Sequence, residues 1–386
     1  MRKVENFLPL SKPVINDETI EEVVKVLKSG WIATGPMTQK FEQNLSEYFG
    51  GRTAMCFTSA TEGMRAALMA IGVGKGDEVI TTSLTFAATA NVIAMLGAKP
   101  VFVDIDRKTF NIDPNKILDA CTSKTKAIMP VHYAGLSVDL EPIYEIAKMK
   151  NLRVIEDAAH AAGSAYKSCR IGSFGDIQVF SFHPIKNMTS AEGGCVVLDK
   201  GLESERKFLE LQRFHGIDRS IWDRFSKNAS CYYDVVYPGS KSNMSDLQSV
   251  IGIHQLKELE SMNARRRALS DRYRDAFSDI ADKISMQAIP DYDFVHSGHL
   301  FPICIHDDSK RDDFMVFLKE NSIGTTPYYM PVHLFSYYRN TFGYKDGDLE
   351  NTEYVGKRIV CIPLYITLEN SEQDYIIDVI KQFFER

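Results

Sequence analysis

Short β-rich runs recur between about residues 50 and 200 of this 386-residue chain, and segments of helical length separate most of them. The runs are rich in valine and isoleucine and occupy residues 78–81, 100–104, 127–132, 153–156, 177–181 and 195–198. Such an alternation is typical of a largely parallel sheet that helices cover on both faces. The last three runs follow one another closely, so we expect part of the sheet to be antiparallel. The sequence therefore predicts an α/β fold.

The pattern changes near Ser245, where residues 247–280 form a long amphipathic segment without proline and with one glycine. This segment predicts a helix that bridges two domains. The elements that we expect after it are a strand at 299–305, a helix at 312–321, a strand near Val360 and a final helix from residue 371. We therefore predict a large α/β domain over residues 1–250 and a smaller α+β domain over residues 251–386.

Composition and charge exclude several classes of function. The formal net charge of -6, without a basic stripe along the chain, argues against nucleic acid as a partner. The seven cysteines are far apart and form no Cys-x-x-Cys pair, so we predict no metal site and expect reduced thiols. No apolar stretch has the length of a signal peptide or of a membrane span. We expect a cytoplasmic protein that does not act at a membrane.

One lysine and one aspartate have special positions because both follow predicted strands. Lys186 lies in the small-residue loop after the run 177–181, and Asp157 ends the run that begins at Leu152. Ligands of open α/β sheets bind at the carboxyl ends of the strands, so this amine and this carboxylate can face one small molecule. A desolvated lysine can attack an aldehyde, and a carboxylate can keep a pyridine nitrogen protonated. Pyridoxal 5'-phosphate needs both groups, and we predict it as the cofactor.

A strand-to-helix junction at Thr58-Ser-Ala-Thr-Glu-Gly-Met64 offers a site for the phosphate of this cofactor. Ser59 and Glu62 fit a capping box, so we expect a helix to begin here. The free N–H groups and the positive end of the helix dipole favour an anion, and the Thr61 hydroxyl can add a donor. Ser181, five residues before the lysine, is a second hydroxyl near the same place. The alternative interpretation is that Ser59 only caps a helix.

Several motifs together resemble the DegT family of nucleotide-sugar aminotransferases, and the resemblance runs nearly from end to end. The motifs are Ser29-Gly-Trp-Ile-Ala-Thr-Gly-Pro36, Thr58 to Met64, Ser83-Leu-Thr-Phe86, Pro130-Val-His-Tyr-Ala-Gly135, Ile155-Glu-Asp-Ala-Ala-His160, Phe180-Ser-Phe-His-Pro-Ile-Lys-Asn187, Glu192-Gly-Gly194 and Ile323-Gly-Thr325. The resemblance implies a fold-type I pyridoxal-phosphate aminotransferase. Its implied activity is transfer of an amino group from glutamate to a keto group of a nucleotide-linked sugar. The motifs are most similar to those of members that aminate UDP-4-keto-L-arabinose at C4.

The resemblance also implies roles for the residues around the cofactor ring. Lys186 would form a Schiff base with the cofactor aldehyde and would then move a proton as general acid and base. Asp157 would pair with the ring nitrogen, and Phe86 would stack on the face of the ring. His160 would lie beside the ring hydroxyl.

Further roles concern the phosphate, the substrate and the second subunit. The residues expected to hold the phosphate are Ala60, Thr61 and Ser181. Asn243 would reach the phosphate from the neighbouring subunit, which implies a homodimer with shared active sites. Tyr328 and His333 would contact the sugar or a carboxylate of the substrate.

The segment before the long predicted helix has no periodic pattern and bears on substrate choice. Residues 216–244 are rich in aromatic and charged residues, and we predict an ordered loop that crosses the dimer and lines the active site. Ser240 and Ser242 stand where family members commonly carry an aromatic residue. This departure concerns the sugar side of the site and the wall between subunits.

Two other interpretations remain open. Relatives that dehydrate keto sugars share the fold and the cofactor but replace the cofactor lysine by histidine, so Lys186 favours transamination. A non-catalytic regulatory protein could also keep the cofactor pocket. The presence of lysine, aspartate, phosphate anchors and stacking aromatic together argues against it, because unused buried charges are costly.

Overall fold

A seven-stranded sheet forms the centre of the protein, whose computed structural model describes residues 6–218 and 232–386. The strands of the N-terminal half are β1 (Thr53–Phe57), β2 (Glu78–Thr82), β3 (Lys99–Val103), β4 (Thr125–Met129), β5 (Arg153–Asp157), β6 (Ala165–Tyr166), β7 (Cys169–Arg170), β8 (Ile177–Ser181) and β9 (Gly194–Leu198). The large sheet has the order β1-β9-β8-β5-β4-β2-β3. Strands β8, β5, β4, β2 and β3 run parallel, whereas β9 is antiparallel to both β1 and β8. The predicted sheet, with its antiparallel part, is confirmed.

Both faces of this sheet are buried, which explains why its strands are apolar throughout instead of alternating. On β8, Phe180 belongs to the core on one face and Val179 to the core on the other. The helices of this half are α1 (Asp17–Ser29), α2 (Pro36–Tyr48), α3 (Ala60–Ala70), α4 (Ala87–Met95), α5 (Ile117–Ala120), α6 (Leu140–Lys150) and α7 (Glu203–Gln212). None of the helices in residues 6–218 and 232–386 combines the length and the hydropathy of a membrane-spanning segment.

One long helix, α8 (Asp246–Ala276), joins the two halves of the chain. It begins with a capping box in which Ser245 and Gln248 bond each other's backbone N–H groups. Its first half packs on α1 and α2, and its second half carries Leu269 and Tyr273 into the C-terminal core. The helix ends four residues earlier than predicted, where Phe277 forms the C-cap and packs into the same core.

The C-terminal half contains a small antiparallel sheet and its covering helices. Its elements are β10 (Ile284–Met286), β11 (Phe294–Val295), β12 (Phe301–Ile305), α9 (Arg311–Glu320), α10 (Ser336–Phe342), α11 (Glu350–Gly356), β13 (Ile359–Ile362) and α12 (Asn370–Phe384). Strands β10, β12 and β13 form the sheet, whereas β11 pairs with β6. Leu8, near the N-terminus, bridges to Ile323 and packs in this C-terminal core. The division at residue 250 falls inside α8 and stays a prediction.

The predicted loop at residues 216–244 is described only in part, because residues 219–231 lie outside the described residues. Around that gap, Ile217 bridges to Val235 and Phe214 bridges to Lys241. Residues just before the gap therefore pair with residues just after it.

Asp246 connects α8 to the start of α2 by hydrogen bonds. Its buried carboxylate accepts hydrogen bonds from the backbone N–H groups of Gly35 (2.8 Å), Met37 (3.1 Å) and Thr38 (2.9 Å) and from the Thr38 hydroxyl (2.8 Å). These N–H groups belong to the first turn of a helix, where no intrahelical acceptor exists. One carboxylate therefore accepts from backbone N–H groups that would otherwise have no acceptor.

We expect Asp246→Ala to lower the free energy of unfolding by about 3 kcal/mol, because it leaves several buried donors without an acceptor. Urea denaturation measures this change. The control is Asp275→Ala, which removes an exposed carboxylate of the same helix and should change stability by less than about 0.5 kcal/mol. Equal stability of the two variants would contradict the anchoring role of Asp246.

Candidate active site

A cavity of about 190 Å³ opens at the edge of the large sheet where β1, β5 and β8 end. The structure brings eight of the ten predicted site residues to its wall: Ala60, Thr61, Phe86, Asp157, His160, Ser181, Lys186 and Tyr328. The remaining lining comes mainly from the start of α4, the loop after β8 and the segment between α9 and α10. Segments that are far apart in the sequence thus meet at one edge.

Lys186 lies in the loop after β8, where its backbone N–H donates to the carbonyl of His183 at 2.9 Å. Within the described part of the chain, its Nζ atom has neither a hydrogen bond nor an ion pair. Burial lowers the pKa of Lys186 from 10.5 to about 8, and the nearby charge of Asp157 opposes this shift. A neutral amine is therefore accessible near neutral pH, as nucleophilic attack on a carbonyl requires.

Asp157 ends β5, and its buried carboxylate is held by two donors. The Thr89 hydroxyl donates to Oδ2 at 2.7 Å, and the backbone N–H of Ala159 donates to Oδ1 at 3.1 Å. Thr89 in turn lies 2.8 Å from the hydroxyl of Thr85. These contacts fix the orientation of the carboxylate, and its remaining acceptor positions are available for a ligand. The sequence did not single out Thr89, which lies in the first turn of α4.

The start of α3, where the first-turn N–H groups favour an anion, lies at the same edge. Ser59 caps the helix by accepting from the N–H of Glu62 at 3.2 Å, as predicted. The reciprocal half of the capping box is absent from the described contacts, because the Glu62 carboxylate pairs with Arg65 at 2.7 Å instead. At Gly194, a Cβ atom would lie 2.4 Å from the backbone nitrogen of Ala60. Glycine therefore lets β9 approach the helix start closely and keeps the first-turn N–H groups accessible to an anion.

His160 is buried beside Lys186 and bonded through both ring nitrogens. Nδ1 accepts from the N–H of Ala134 at 3.2 Å, so the neutral ring carries its proton on Nε2 and donates to the Tyr329 hydroxyl at 3.0 Å. Burial, and then the charge of Lys186, hold the pKa of His160 well below its usual value. Tyr329 also lines the cavity, and the sequence did not distinguish it from its predicted neighbour Tyr328.

The structure does not bring His333 to the cavity. Its ring is fully buried, with Nδ1 at 2.8 Å from the Ser83 hydroxyl and Nε2 at 3.2 Å from the carboxylate of Glu353. Both nitrogens are thus bonded inside the protein, and a contact with a bound sugar is not supported.

Asn243 lies outside the cavity lining of its own chain. It bridges through its backbone to Phe57, and its side chain bonds Thr34 and Lys241. Its contact with the phosphate of a neighbouring subunit stays a prediction, because the structure contains one chain.

This arrangement belongs to a known class of proteins. The profile of the DegT/DnrJ/EryC1/StrS aminotransferase family matches residues 13–381, so the chain belongs to this family. SpsC of Bacillus subtilis, a spore coat polysaccharide biosynthesis protein, is 42% identical over 387 residues, covering 99% of this chain and 98% of SpsC. The uncharacterized protein MJ1066 of Methanocaldococcus jannaschii is 43% identical over 381 residues, covering 98% of each chain.

Solved structures of similar proteins agree with this assignment. Spr1654 of Streptococcus pneumoniae in its PMP form has a TM-score of 0.92 and 32% identity over 98% of this chain and 99% of that one. Its PLP form has a TM-score of 0.91. PseC of Helicobacter pylori, an aminotransferase involved in the biosynthesis of pseudoaminic acid, has a TM-score of 0.90 and 28% identity over 98% of this chain and all of PseC. The predicted fold, the aminotransferase class and the cofactor are thus confirmed at the level of the family.

The lowered pKa of Lys186 predicts how stability depends on pH in the cofactor-free protein. Between about pH 8 and 10.5 the unfolded chain holds a proton that the folded chain has released, so stability rises with pH. We expect Lys186→Met to be more stable than the wild type at pH 7 and to lose this advantage by about pH 10. Thermal unfolding from pH 6.5 to 10 measures the difference.

The matched control is Lys126→Met, which replaces an exposed lysine of β4. Its stability relative to the wild type should not vary with pH. A pH-independent difference for Lys186→Met as well would show that the amine is not desolvated.

Proposed function

We propose that this chain binds pyridoxal 5'-phosphate through Lys186 and transfers an amino group from glutamate to the C4 keto group of a nucleotide-linked sugar. The observation that carries the proposal is the buried Lys186 amine, which has no partner among the described residues and lies with Asp157 and the start of α3 on the wall of one cavity. Membership of an aminotransferase family supports the reaction class. The solved relatives in PLP and PMP forms support the cofactor.

The residues present fit this cofactor in charge and in shape. When bound, the cofactor supplies an aldehyde that takes an amine and a protonated ring that withdraws electrons. Asp157 has acceptor positions left for a ring N–H after bonding Thr89 and Ala159. Phe86 lines the cavity and is 60% exposed, so its ring has a face available for stacking. The backbone of Ala60 and Thr61 at the start of α3, together with the Ser181 hydroxyl, would hold a phosphate.

Lys186 then has a second role as the group that carries a proton. The backbone N–H of Lys186 is hydrogen-bonded to the carbonyl of His183, so the side chain can rotate while its Cα atom stays in place. A pKa near the working pH makes one group effective both as acid and as base.

The substrate is proposed from the relatives and from the resemblance. SpsC takes part in spore coat polysaccharide biosynthesis and PseC in that of pseudoaminic acid, which supports an activated sugar for cell-surface polysaccharides. UDP-4-keto-L-arabinose is the first candidate, because the motifs resemble members that use it. Ser240 and Ser242 bond each other at 3.1 Å where an aromatic residue is common, so their surroundings would suit a polar part of the substrate.

We further propose a homodimer in the cytoplasm. Asn243 and the neighbouring segment 232–244 would reach the second active site, while Val235 and Val236 expose apolar surface that a partner would cover. Sedimentation of the loaded protein at twice the chain mass would support the dimer.

The proposed reaction is tested with purified protein loaded with pyridoxal phosphate. Glutamate alone should release one equivalent of 2-oxoglutarate per site, and UDP-4-keto-L-arabinose should then accept the nitrogen. Borohydride reduction followed by peptide mapping should attach the cofactor to Lys186. Asp157→Asn should lower the rate of amino transfer at least about a hundredfold. It removes the negative charge that would stabilise the protonated cofactor ring in a site that contains little water.

Other outcomes would assign a different function. Loss of a hydroxyl from the keto sugar without uptake of nitrogen would indicate a dehydratase. Failure to bind pyridoxal phosphate at all would favour a regulatory protein. Wild-type turnover by Asp157→Asn would remove the proposed role of that carboxylate, whatever the substrate.

Tyr329 is expected to donate a hydrogen bond into the site. Because its oxygen accepts from His160, its own O–H group is available to the cavity, and burial keeps the hydroxyl protonated by raising its pKa well above the usual value. Tyr329→Phe should lower kcat about tenfold. It should also raise by about one unit the pH at which the absorbance of the bound cofactor changes. The reason is that the deprotonated form of the cofactor loses a hydrogen bond from Tyr329. The control Tyr337→Phe, at an exposed position, should change neither quantity.

A further inference from the structure

A second cavity, of about 390 Å³, lies between α8 and the strands β10 to β12. It shares no lining residue with the cavity around Lys186. Arg267 and Arg274 line it from α8, and their separation of seven residues places both on one face of the helix. We call it the arginine cavity.

The two guanidinium groups lack a carboxylate partner among residues 6–218 and 232–386. Arg267 donates to the carbonyl of His296 at 3.4 Å, and the guanidinium carbon of Arg274 lies 5.9 Å from the ring centroid of Phe301. Asp271 also lines the cavity and is the nearest acid to Arg274, but it is exposed and forms no ion pair in this part of the chain. A partly buried cation without a partner is costly, so such a site favours an external anion.

The histidine of the cavity wall, His296, is satisfied inside the protein. His296 accepts from the N–H of Gly298 through Nδ1 at 2.8 Å and donates through Nε2 to Gln287 at 3.2 Å. Burial, and then the charges of Arg274 and Arg267, lower the pKa of His296 to about 3, so the ring is neutral. The positive charge of the cavity therefore resides on the two arginines.

We propose that the arginine cavity binds the oxyanion group, carboxylate or phosphate, of a small metabolite. Guanidinium groups match both oxyanions through paired hydrogen bonds. Phe294 and Phe301 line the same cavity and would contact the apolar part of the ligand. The volume is in the range of small-molecule sites, and the proposal does not depend on the reaction at Lys186.

Titration calorimetry on protein loaded with pyridoxal phosphate tests the proposal, with pyrophosphate and citrate as separate probes. We expect at least one of them to bind, and the preferred probe distinguishes a phosphate ligand from a carboxylate ligand. The double variant Arg267→Gln/Arg274→Gln should weaken this binding at least tenfold. The control Arg272→Gln, whose guanidinium bonds Asp374 outside the cavity, should bind as the wild type does.

A second variant keeps the proposal testable if the double variant does not fold. Ser270 lines the cavity, and Ser270→Glu would place a carboxylate beside the arginines. This variant should lose probe binding and unfold at a higher temperature than the wild type, because the arginines gain an internal partner. Absence of binding to the wild type, or equal binding to every folded variant, would overturn the proposal.

Discussion

The site depends on the parallel pairing of β5 with β8. In their register Asp157 lies opposite Val179, so the end of one strand and the loop after the other reach the same edge of the sheet. Asp157 ends β5 there, and Lys186 follows in the loop after β8. Strand β9 begins at this edge too, where Gly194 pairs with Ser181 and approaches the start of α3. The relative positions of the carboxylate, the amine and the start of α3 therefore follow from the topology of one sheet.

Burial determines the protonation states of Lys186 and His160 at this edge. Desolvation favours the neutral form of Lys186, whereas the charge of Asp157 favours the ammonium, and the first effect is larger. The same amine, when charged, disfavours a proton on His160, which burial already keeps neutral. Because His160 is neutral and accepts from Ala134, its remaining proton must point to Tyr329. Burial and the backbone N–H of Ala134 thus determine the tautomer of His160, and this tautomer in turn directs the Tyr329 hydroxyl proton away from the ring.

The parts of this structure that the sequence predicted are those with local signals. The strands of the large sheet are apolar because both faces are buried, and Asp157 and Lys186 could be recognised because the first ends such a strand and the second lies in the loop after another. Thr89 and Tyr329 had no comparable signal, since their partners lie 68 and 169 residues away in the chain. The family resemblance predicts His333 as a substrate contact. Its burial depends on Ser83, 250 residues earlier, and no local pattern reveals such a contact.

The C-terminal half completes the site through residues 296–300 as well as through Tyr329. The Ser297 hydroxyl donates to the carbonyl of His160 at 2.7 Å, and the backbone N–H groups of Ser297 and His299 donate to the carbonyls of Gly135 and Ala134. A Cβ atom at Gly135, whose φ is 96°, would lie 2.1 Å from the Ser297 hydroxyl. Only glycine therefore permits this approach. The Ser297 carbonyl also accepts from the side chain of Asn187, next to Lys186, so the large sheet alone would present the residues of the candidate site without the contacts that position them.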